Sequence, residues 1–129
     1  MIETVRVSQK AKDQLTTLKR RTGITQWNIL CRWALMRSLS EPSAPTRVPI
    51  KLDSNVEMTW KTFAGDQDEI ISSLIRLRID EDGLAAEPEV IDEQFRLHLH
   101  RGIGYLVGDE SVKSVEGLVG LVDDQRAAA

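Results

Sequence analysis

The chain has 129 residues, 41% of them hydrophobic and 29% charged, with a formal net charge of −3 and one cysteine. That length suits one domain burying roughly 65 to 70% of its unfolded surface, and the composition excludes a mainly disordered chain. One cysteine excludes an internal disulfide and a multi-cysteine zinc site, no apolar run reaches the roughly 18 to 20 residues that span a bilayer, and "MIETVRVSQK" lacks a signal-peptide pattern, so a cytoplasmic location is expected.

In chain order, "ETVRVS" alternates, with Val5 and Val7 on one side and Thr4, Arg6 and Ser8 on the other, the period of a half-buried strand. Ser8 caps a helix predicted from Gln9 to Thr22, and Gly23 supplies its left-handed end. Ala11, Leu15 and Leu18 make a narrow apolar stripe on that helix. Lys12 and Lys19 lie along one flank, Lys10 and Arg21 along the other. Thr25 is the expected cap of a second helix, Gln26 to about Ser40, followed by the linker-like "EPSAP". Trp27, Ile29, Leu30, Cys31, Trp33, Ala34, Leu35, Met36 and Leu39 cover almost the whole circumference of this helix. Such a helix needs cover on most sides, and a second subunit is a reasonable source of it.

Farther on, "RVPIKL" and "VEMTWKTFAG" read as a hairpin about "DSN", with Val56, Met58 and Trp60 on one face. Asp66 and Glu69 have the spacing of a capping box before the helix "IISSLIRLRI". Pro88 fits the first turn of another helix, "PEVIDEQFRLHLHRG", and "SVEGLVGLV" a short last one. The expected fold class is therefore mainly α with minor β: a single domain over residues 1–129, with a ribbon-helix-helix-like part at 1–40 and a hairpin plus helices at 41–129.

Charge is segregated. Residues 1–51 hold ten cations against three anions, +7, and the remainder seven cations against seventeen anions, −10. Either the first part meets a polyanion or the two parts neutralise each other across the fold. In "LKRRTGITQW", Arg20 and Arg21 stand one turn from a helix amino terminus, whose unpaired N–H groups and partial positive charge suit a phosphate. Only Arg6, Thr4 and Ser8 are placed to read base edges, so backbone contacts with weak sequence specificity are expected.

Sharper chemistry finds little support. The glycines of "HLHRGIGYLVG" miss the dinucleotide fingerprint. His98 and His100, two residues apart, point about 200° from each other on a helix and cannot share a metal. Cys31 reads as a small core residue, and Arg101 as a further phosphate contact.

Together "LKRRTGITQWNILCRWAL", "EIISSLIRLRI" and above all "HLHRGIGYLVG" resemble the DndE family, small accessory proteins of bacterial DNA phosphorothioation, from about Val5 to Leu121. The resemblance implies DNA binding, self-association as a dimer or tetramer, other proteins of the modification complex as partners, no cofactor and no enzymatic activity of its own. It implies a DNA-facing set of Lys10, Lys12, Lys19, Arg20 and Arg21, with Arg6 beside it. A protein-interaction scaffold without DNA binding, and a ribbon-helix-helix repressor, stay open.

Overall fold

The computed structural model describes residues 2–128, with side chains described as far as residue 122. The chain is mainly helical, with one two-stranded antiparallel sheet. Strand β1 (Thr4–Arg6) turns Val5 and Val7 into the core and leaves Thr4 and Arg6 exposed, as the alternation predicts. Helix α1 (Gln9–Thr22) opens with the Ala11 N–H donating to Ser8 Oγ at 3.1 Å and closes at Gly23, whose φ of 74° is cheap only for glycine. Its buried stripe is Ala11, Leu15, Leu18 and Thr22.

Helix α2 (Trp27–Leu39) starts one residue later than expected. Thr25 is therefore not its cap: Gln26 takes that position and makes no capping bond, while the Thr25 hydroxyl donates to Gln26 Oε1 at 3.4 Å. The expected hairpin does not form either. Residues 47–52 carry no strand, which suits Pro49 with its missing N–H, and strand β2 (Glu57–Thr59) pairs with β1 instead. Thr4 lies opposite Thr59, Val5 opposite Met58 and Arg6 opposite Glu57. The ribbon of this chain is thus formed by two of its own strands.

Helix α3 (Trp60–Ala64) begins inside the expected second strand, because the Thr59 hydroxyl accepts the Thr62 N–H at 3.1 Å and caps it. Asp66 falls in a short 3-10 turn (Gly65–Gln67), so the expected capping box is not made. Asp68, the first residue of helix α4 (Asp68–Glu81), accepts from the Trp60 indole N–H. Helix α5 (Pro88–Gly108) has Pro88 in its first turn as expected, and the whole of "HLHRGIGYLVG" is helical. Helix α6 (Val115–Ala128) follows.

The long α5 is the spine of the fold. It packs chiefly against α2, then against α1 and α4. Leu30, Cys31, Ala34 and Leu35 of α2 are fully buried, so α5 supplies cover that the sequence suggested a second chain would provide. Trp60, Phe63 and Phe95 form an aromatic cluster with ring centroids 5.3 to 5.6 Å apart.

The linker-like "EPSAP" is tied down by two arginines. Arg78 of α4, 6% exposed, donates to the carbonyls of Leu39, Glu41, Pro42 and Ser43 at 2.6 to 3.2 Å and to Asp82 at 3.1 Å. Arg101 of α5 donates to the Ser38 and Ser43 carbonyls and to Ser38 Oγ. These two guanidinium groups tie an irregular, largely exposed segment to α4 and α5, because each planar fork satisfies several carbonyls at once.

Candidate nucleic-acid interface

The fourteen residues of α1 span about 21 Å, and the fold distributes the expected cations along that length. Lys19, Arg20 and Arg21 share its last turn. Lys10 and Lys12 share its first, about 10 to 15 Å away along the axis. With the apolar stripe inward, Arg20 falls near the middle of the outward face, flanked by Lys12 and Lys19 on one side and Lys10 and Arg21 on the other.

The cations differ in freedom. Lys19 Nζ sits 3.8 Å from the centroid of the Trp27 ring, which ties the end of α1 to the start of α2 across the Gly23 turn. Arg21 Nη1 donates to the Val107 carbonyl at 2.9 Å, near the end of α5. Lys12 Nζ donates to Asn55 Oδ1 at 2.6 Å. Lys10 and Arg20 are exposed and have no side-chain partner among the described residues. No carboxylate among the described residues forms an ion pair with any of these five. Arg6 is different: on the outer face of the ribbon it pairs with Glu57. An acid beside it opposes a phosphate or a base edge, and so Arg6 stands apart from the set.

Next to Lys19–Arg21, the first turn of α2 has no acidic residue and no side-chain cap. Its leading N–H groups therefore have no side-chain cap, and the positive end of the helix dipole lies behind them. The corner joins three cations, a glycine turn and an uncapped helix start. Trp27, read in the sequence only as an apolar position, proves to be the platform for Lys19. No local pattern announces that pairing, because it crosses a turn.

The other singled-out residues are structural. Burial pushes the Cys31 thiol up to about 12, leaving it protonated and inert. Arg101, expected to touch phosphate, is occupied by Ser38 and Ser43. His98 Nδ1 lies 2.8 Å from Ser38 Oγ within the core. His100 accepts the Ser8 N–H on Nε2 at 3.1 Å and donates from Nδ1 to the Arg96 carbonyl at 2.8 Å. Burial lowers both imidazoles, His98 to about 4 with Arg101 and Arg78 reinforcing the effect. No group of three metal-ligating residues converges among the described residues, and no described helix is long and apolar enough to cross a membrane.

Residues 4–114 match the family model described as DNA sulphur modification protein DndE. The crystal structure of DndE from Escherichia coli, involved in DNA phosphorothioation modification, superposes with a TM-score of 0.69 at 26% identity, over 82% of this chain and 98% of that one. A DndE mutant with two glycines replaced by lysine, also described as involved in DNA phosphorothioation, gives 0.66 at 23% identity over 84% and 100%. No match was found among curated proteins.

Proposed function

The chain belongs to the DndE family of DNA sulphur modification proteins, and on that footing we propose that it is a DNA-binding accessory of DNA phosphorothioation that holds the phosphate backbone and performs no chemistry itself. The observation that carries this reading is the corner formed by Lys19, Arg20, Arg21 and the uncapped start of α2, with no carboxylate partner for those three cations among the described residues. Phosphate oxygens accept from Arg, Lys and helix N–H groups without regard to base identity, so the corner positions DNA and does not read it. The Arg6–Glu57 pair on the ribbon weighs against base reading by the strand, and hence against a repressor.

The inert groups support the absence of catalysis. Cys31 and Ser38 have no exposed surface, which denies a substrate access to either. The protein works in the company of the other phosphorothioation proteins and of further copies of itself, as a dimer or tetramer; the exposed Ile70, Leu74 and Leu77 along one face of α4 favour such association. Self-association would gather several corners around one duplex.

Titration of labelled intact and nicked duplexes across salt concentrations tests the reading. Tight binding at low salt that falls steeply as salt rises is the expected result, because each neutralised phosphate releases counterion. Absence of binding at low salt, or unchanged binding after Lys19, Arg20 and Arg21 are together replaced by Glu, overturns it. Capture of the partner enzymes at high salt without any DNA binding would establish the scaffold instead.

A further inference from the structure

The sheet has an open edge. The ladder between β1 and β2 runs through Glu3, Val5 and Val7: the Trp60 N–H donates to the Glu3 carbonyl at 2.8 Å and the Val7 N–H to the Val56 carbonyl at 3.3 Å. Strand alternation therefore turns the N–H and C=O of Thr4 and Arg6 the other way. Among the described residues those four groups have no hydrogen-bond partner. Ser8, the next residue of the same parity, does have one, since its N–H donates to His100 of α5. The outward side of β1 thus faces α5, and His100 marks where the edge ends.

Between them lies a groove of about 350 Å³. Its walls are Ile2 and Glu3 with β1 after them, and the α5 face Asp92, Phe95, Arg96 and Leu99, with Leu52 beside them. Phe95 and Leu99 give an apolar floor, while Asp92 and Arg96 stand along α5 without an ion-pair partner among the described residues.

We propose that this groove receives an extended peptide of a partner protein, which adds a third strand to the sheet along Thr4 and Arg6. Alternating donors and acceptors along a strand edge are complemented by another peptide backbone, whereas a phosphate chain offers acceptors alone. Strand alternation would then set one apolar residue of the guest on Phe95 and Leu99 and hold its neighbours out near Asp92 and Arg96. A second copy of β1 is the less suitable guest, because α5 already projects beneath the edge and a two-fold axis there would drive the two α5 helices together.

The test titrates fluorescein-labelled ten-residue peptides, tiled across the other phosphorothioation proteins, into the full chain. That choice of peptides rests on the family assignment, whereas the groove is independent of DNA binding: replacing Lys19, Arg20 and Arg21 by Glu should leave peptide affinity unchanged. At least one peptide should bind, and Thr4→Pro, which removes an outward N–H while sparing the ladder bonds at Glu3, Val5 and Val7, should weaken it tenfold or more. If that variant melts early, N-methylation along the bound peptide serves in its place, with loss expected at alternate positions only. The proposal fails if no tiled peptide binds, or if binding ignores both Thr4→Pro and N-methylation. It also fails if amide exchange at Thr4 and Arg6 slows with protein concentration alone, which would assign the edge to a second copy.

Discussion

Gly102 of α5 lies directly against Ala34 of α2: a Cβ built on Gly102 would sit 1.7 Å from the Ala34 carbonyl oxygen. The obstacle is backbone, so no rotamer change relieves it, and the two helices would have to move apart along the main contact of the fold. Gly102→Ala should therefore cost about 3 kcal/mol or more, at the upper end of overpacking effects. Gly104, two residues on, has nothing within 4 Å of the corresponding position. Gly104→Ala should raise stability by about 0.5 to 1 kcal/mol through helix propensity alone. Thermal melting of the pair decides: similar shifts in both variants would refute the account.

Arg78 should be as sensitive as any core leucine. It is buried, and its guanidinium serves four carbonyls and the Asp82 carboxylate. Arg78→Ala leaves the nearly buried Asp82 carboxylate and four partly buried carbonyls without their donor and should cost roughly 3 to 5 kcal/mol. Arg78→Lys retains the charge but not the fork, and should recover less than half of that. Chemical denaturation measures both, and full recovery by lysine would show that charge alone matters.

The two arginine clamps also show where the sequence was legible. Local devices were: the Val5/Val7 alternation, the Ser8 cap, the Gly23 stop and the Pro88 start are each decided within a few residues, and each stands where the pattern put it. Partners distant in sequence were not. β2 had two segments to choose from, Pro49 disqualified one, and only the folded chain shows that β1 was the alternative. The roles of Arg78 and Arg101, the latter read as a phosphate contact, were hidden because nothing near them in sequence names the carbonyls 35 to 63 residues away. The basic corner was legible as charge at a turn, whereas the Lys19–Trp27 and Arg21–Val107 contacts that shape it were not.

That difference in engagement grades the corner. Arg20 is exposed and its side chain makes no hydrogen bond or ion pair among the described residues, so Arg20→Ala should leave the melting temperature within about a degree, as surface substitutions usually do. It should lower DNA affinity and reduce the slope of log K against log salt by about 0.9, the value for one lost phosphate contact. Arg6→Ala frees Glu57 and should leave that slope unchanged. An effect of Arg6 equal to that of Arg20 would move the interface onto the ribbon.

Acid should weaken the fold through two imidazoles held neutral. Ser38 Oγ accepts the Arg101 Nε–H at 2.8 Å and lies 2.8 Å from His98 Nδ1, while His98 Nε2 is buried with no hydrogen-bond partner among the described residues. A charged ring carries N–H on both nitrogens, so it would leave a buried Nε2–H without an acceptor and place a cation near Arg101 and Arg78, in keeping with a pKa lowered to about 4 by burial and by those two charges. His100 is lowered as well, chiefly by burial, and its protonation would set an N–H against the Ser8 N–H. With folded values below the ordinary 6.5, the unfolded chain binds these protons more readily. The stabilisation is complete above pH 6.5, declines as pH falls, and for His98 is spent near pH 4, a loss on the order of 3 kcal/mol. His98→Gln should be less stable than the parent at pH 7 and lose less on acidification, because carboxylate titrations are common to both. Urea midpoints at pH 7, 5.5 and 4 test this, and parallel acid limbs in the two proteins would show that His98 does not govern the transition.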